Sequence, residues 1–154
     1  MLGGSGHAVL VDRVVATVGI KAITRSALQA RMKVGGEDER TVLDAMIDDA
    51  VIAVECERRS ITVGDDEVDA GVKQVAANAD ITYDELLKEL ARRGLDLKSY
   101  RASIRAQLLE GKWLSLEAGT KSGESAEARL QRIIALRATR LADLRAKAVI
   151  EVRL

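Results

Sequence analysis

Proline and phenylalanine are absent from the 154 residues, and aromatic residues make up only 2% of them. The core must therefore be built from Leu, Ile, Val and Ala, and few flat surfaces remain on which a base or a planar cofactor could stack. No cofactor is expected. Cys56 is the single cysteine, which excludes an internal disulfide. It lies in a helical, apolar stretch, where a thiol ionises poorly, and is expected to be an inert core residue. His7 is the single histidine and falls in the opening MLGGSGHA, residues 1–8, which reads as an expression scar and is set aside. One Cys and one His leave no basis for a Cys-His nucleophile or a metal cluster, so neither a catalytic nor a metal site is expected. Lys and Arg total 24 against 24 for Asp and Glu, so no broad basic field points to a nucleic-acid partner. No run approaches the ~18 apolar residues of a membrane span, so membrane insertion is not expected either.

What is present is periodicity. The β-branched VLVDRVVATV over 9–18 reads as a strand, Gly19 and its neighbours as a tight turn, and 22–24 as a short returning strand. Thr24 can cap a helix through Met32, and VGGEDER over 34–40 reads as a mobile connection. A helix over 39–59 carries Leu43, Ile47, Ala50, Val51 and Val54 on one stripe, widened by Val42, Met46, Ala53 and Cys56, which predicts a central position. After the break at 61–68, Val68, Val72, Val75 and Ala79 recur at helical spacing. Thr82 and Glu85 stand at the spacing of a capping box and start a helix that Gly94 ends. Asp96 can cap the next, marked by Leu97, Tyr100, Ile104 and Leu108 and reaching Trp113. Residues 117–127 lose apolar periodicity, and a final helix then runs through Lys147.

At 148–154 the period changes to two, with Ile150, Val152 and Leu154 alternating with Glu151 and Arg153, as in a half-buried strand. A lone strand cannot satisfy its own backbone groups, and 9–18 is the only stretch of matching composition long enough to receive it. The expected fold is mainly α, with five to six helices around one core and a small β-sheet pairing the N-terminal and C-terminal strands.

Three stretches, VDRVVATVGIKAITRSALQARM, VLDAMIDDAVIAVECERRSITVGDDEVDAGV and ITYDELLKELARRGLDLKSYRASIRAQLL, follow one another in the order of the N-terminal domain of the SurA family of bacterial periplasmic chaperones, which they resemble. LADLRAKAVIEVRL is similar to that family's closing helix and strand. The resemblance implies one chaperone module over 9–154, composed of an N-terminal-type region at 9–116, a linker at 117–126 and the closing helix and strand at 127–154. In the family one or two parvulin-type prolyl isomerase domains are usually inserted where the linker stands, so it also implies that the isomerase is missing. Gly19 and Gly64 stand where the family commonly has Asn and Ser.

The acidic clusters do not suggest an enzyme, because Asp48 and Asp49, like Asp65, Asp66 and Glu67, are adjacent on helices and point in different directions. Gly35 and Gly36 lack the context of a phosphate loop. A binding role needs exposed apolar surface, and the candidates for peptide binding are Met32, Val34, Met46, Trp113, Leu114 and Leu116. Core packing competes for each and is the stronger assignment for Met46. The resemblance implies an ATP-independent holdase of the periplasm with unfolded polypeptide clients, outer-membrane proteins among them. The alternative is a non-catalytic interaction module that forms a homodimer by exchanging its C-terminal helix and strand.

Overall fold

The computed structural model describes residues 12–154. The scar assigned to 1–8, His7, and the first part of the 9–18 strand lie outside the described residues. Among those described, the order is β1 (Val14–Val18), β2 (Lys21–Thr24), α1 (Arg25–Gly35), α2 (Glu39–Arg58), α3 (Asp65–Asn78), α4 (Tyr83–Arg92), α5 (Leu97–Ala118), α6 (Ala126–Lys147) and β3 (Ile150–Val152). The fold is mainly helical with a small antiparallel sheet, as its sequence predicts.

The sheet has the order β2-β1-β3, so the first strand is central and the last lies at an edge. Ala16, Thr17 and Val18 face Val152, Glu151 and Ile150, and the N–H of Gly19 donates to the carbonyl of Val149 at 2.9 Å. On its other side β1 carries an irregularity between Val14 and Ala16, which inserts Val15 as an extra residue. Val15 and Ala16 are consequently both buried, where strict alternation would bury only one. Gly19 turns the hairpin with φ of +58°, a left-handed conformation that Gly and Asn tolerate best. The glycine in place of the family's asparagine thus keeps the turn.

Helix starts follow local chemistry. The Thr24 hydroxyl accepts from the Ala27 N–H at 3.3 Å, and Asp96 accepts from Lys98 N–H at 3.2 Å. Thr82 and Glu85 complete their reciprocal pair at 3.1 Å each way. At Gly64 only half of such a pair exists, the Glu67 carboxylate accepting from the Gly64 N–H at 2.7 Å.

Three expectations need correction. The connection at 34–40 is tight: α1 continues through Gly35, Gly36 closes it with φ of +65°, and Asp38 caps α2 by accepting from Thr41 N–H at 2.9 Å. Helix α5 passes Trp113 to Ala118, because Glu117 is held from both sides by Arg59 and Arg140, leaving 119–125 as the connection to α6. Buried residues also form two clusters rather than one core. The larger joins β1, β2, α1 and α2 to Trp113, Leu114 and Leu141; the smaller joins Val63, α3 and α4 to Ile104. Helix α5 is long enough to serve both, with Leu109 against each.

Helix α6 combines modest apolar burial with a row of polar contacts. Leu141 is its only buried residue, with Ile133 and Leu144 half-buried against the larger cluster. Arg129 and Arg132 donate to the carbonyls of Gly119 and Ala118 at 2.8 and 2.6 Å. Arg137 reaches Glu110 at 2.8 Å, Arg140 reaches Glu117 at 3.1 Å, and Arg145 lies 3.3 Å from Asp48.

Candidate functional site: an aliphatic groove between α1, α2 and α5

Small side chains on two facing helices create the groove. Ala27 and Ala30 on α1 precede Val34 by two turns and one turn respectively, and on α5 Ser99, Ala102, Ser103 and Ala106 fall at the same helical spacing. Helices carrying such short side chains leave a depression between them, here about 220 Å³, which Met46 of α2 closes from below. Met46 is half-buried and Val34 is 40% exposed, so the groove is apolar and open.

One ion pair lies within it. Arg31 Nη1 donates to Asp49 Oδ2 at 3.3 Å. Burial pushes the Asp49 carboxyl above its ordinary range; Arg31 opposes that shift, while Glu110 and Asp48 add to it. Asp48 is raised by the same cause, with Arg145 and Arg137 opposing. Among the described residues no three His, Cys, Asp or Glu side chains converge as metal ligands would. Burial pushes the Cys56 thiol up, away from the reactive thiolate.

The six candidate residues do not form one surface. Val34 and Met46 meet in the groove. Met32, two residues before Val34, turns instead toward the larger cluster. Trp113 and Leu114 are buried at 1% and 8% exposure, so in this conformation neither offers a surface to a ligand. Leu116 is exposed, but on a separate depression with Ile61 and Leu108. Val54, assigned to a buried stripe, is 42% exposed. It joins Ile20 at the hairpin tip and Val149 beside a second open groove of about 660 Å³. The alanines escaped sequence reasoning because alanine fills any helix; the available signal was the paired run of small residues on α1 and α5.

A helical body is thus clasped by a sheet that joins the two ends of the described chain, with open aliphatic grooves on its surface. Residues 11–113 match the SurA N-terminal domain family, and the chain belongs to that family. It is 30% identical over 118 residues to the chaperone SurA of Saccharophagus degradans, across 68% of this chain and 27% of that protein. It is also 30% identical over 135 residues to the chaperone SurA of Ralstonia nicotianae, across 77% and 27%. A Haemophilus influenzae relative, named a peptidyl-prolyl cis-trans isomerase SurA, is 30% identical over 65% of this chain and 32% of its own. The chain thus spans about a quarter to a third of the length of these relatives. A solved chain from the SurA-like chaperones of Campylobacter jejuni aligns with a TM-score of 0.46 at 18% identity, over 68% of this chain and 43% of that one.

Proposed function

We propose that the protein is an ATP-independent holdase of the periplasm, shielding apolar segments of unfolded envelope proteins, outer-membrane proteins among them, without prolyl isomerase activity. The observation that carries this proposal is the open groove of Ala27, Ala30, Val34 and Met46 on a SurA-family helical body. Walls of small side chains over a flexible thioether accommodate side chains of different shapes, which suits a binder of many sequences. Arg31 and Asp49 offer a donor and an acceptor to the main chain of an extended segment. Binding is weak and broad, because ordering an unfolded client consumes much of the interaction energy.

The test is light scattering from an aggregating outer-membrane protein diluted out of denaturant. The protein in several-fold molar excess suppresses the scattering without ATP, and Val34→Glu suppresses it less. Unchanged aggregation contradicts the proposal. Measurable turnover of a proline-containing peptide contradicts its non-catalytic part.

A further inference from the structure

Strand β3 is an edge, and its geometry fixes which of its backbone groups are free. Val149 and Arg153 bond to β1, through the Gly19 N–H at 2.9 Å and the Val15 carbonyl at 2.7 Å, and Glu151 faces Thr17 between them. In an antiparallel ladder, residues alternate between bonding toward the partner and facing away. Ile150 and Val152 therefore aim their N–H and C=O groups at the outer edge, where no described residue pairs with them. Val152 and Leu154 are also exposed there, at 40% and 48%.

We propose that this edge joins two copies of the chain, β3 against β3, into one continuous antiparallel sheet. The bonding positions restrict the register, and charge then selects one. With a two-fold axis through Val152, residue 152 faces its own copy, 150 faces 154 and 151 faces 153. The bonded positions are then the even-numbered ones, whose groups are free; a one-residue shift would demand groups that β1 already uses. In the same register Glu151 lies opposite Arg153 of the second copy, twice over by symmetry. These side chains now share one face within a single strand, 2.9 Å apart. Ile150 meets Leu154 and Val152 meets Val152 on the other face. An axis at residue 150 would set Glu151 against Val149 and forfeit the charge pairs. Exposed edges are ordinarily guarded by unbalanced charge; this one is neutral and self-complementary.

A five-residue pairing covers far less than the ~1,600 Å² of a standard interface, so the dimer is weak, with Kd on the order of 0.1–1 mM. The experiment is sedimentation equilibrium of the full chain from about 10 μM to about 1 mM. Wild type shifts from monomer toward dimer across that range. E151R sets like charges opposite each other and weakens the dimer about tenfold, and the swap E151R/R153E restores it to within about threefold. V152P removes one outward N–H, leaves the bonds to β1 intact and abolishes the dimer. Far-UV circular dichroism verifies that each variant is folded. A wild type that stays monomeric at about 1 mM overturns the proposal. So does a dimer indifferent to E151R and V152P, as an exchange of α6 and β3 between chains would produce, and so does a charge swap that fails to restore pairing.

Discussion

The Arg153 N–H donates to the Val15 carbonyl at 2.7 Å, joining main-chain groups from the two ends of the described chain. A second tie runs from Gly19 N–H to Val149 C=O, and Ile150 packs half-buried against the larger cluster. These two bonds, the Glu151–Thr17 ladder pair between them and one partly buried Ile together stabilise by about 3–6 kcal/mol. Deleting 148–154 therefore lowers the urea midpoint and broadens the transition, measured by circular dichroism. An unchanged midpoint would mean that the closing strand does not hold the module together.

Trp113 is almost fully buried, and its Nε1 finds no hydrogen-bond partner among the described residues. Trp113→Ala should destabilise by about 3–5 kcal/mol through the cavity it leaves. Trp113→Phe leaves a smaller void and removes an unsatisfied donor, so its cost should be smaller, about 1 kcal/mol. Chemical denaturation followed by circular dichroism separates the two.

At Gly71, α3 lies close against α5. A Cβ there would lie 3.0 Å from Ile104 Cγ2 and 3.2 Å from Leu108 Cδ1. Gly→Ala in a helix gains up to about 1 kcal/mol in propensity, while overpacking costs about 1–3 kcal/mol. The crowding should win because Ile104 is itself buried. Gly71→Ala is expected to lose about 1 kcal/mol, and Gly71→Val considerably more, by thermal unfolding.

Burial holds the folded Asp49 carboxyl above its ordinary value of 3.8. The ionised form is thus less favourable in the fold than in the open chain, and protonation favours folding. As pH falls from neutral through the raised value, wild type gains stability relative to Asp49→Asn. The gain levels off below 3.8, where both states are protonated. Urea midpoints of the pair across this range check the sign.

The caps were legible in the sequence because they are local: Thr24, Thr82 with Glu85, and Asp96 each act within one turn of chain. The partner of the closing strand was legible too, since only one stretch had a strand's composition. Its depth was not, because an alternating pattern gives a face but not whether anything covers it; Ile150 is half-buried and Val152 exposed. The same limit explains Val54, which lies on the side of α2 that faces the open groove beside Ile20 and Val149, while Cys56 further along the helix is buried. It also explains the second cluster, because periodicity does not say that α5 turns one half of its length to α3 and the other to α2. Val34, beside the glycines, and Met46, with its flexible thioether, were legible as candidates; the alanines that line the groove were not, since a missing side chain leaves no pattern of its own.

The most direct measurement is a methyl NMR titration of the full chain with an unfolded outer-membrane protein. The account predicts shifts concentrated at Met46, Val34, Ala27, Ala30, Ala102 and Ala106, with the methyls of buried Leu28 and Val72 unmoved. Client binding that leaves the Met46 and Val34 methyls unshifted, or no binding at all, would contradict it.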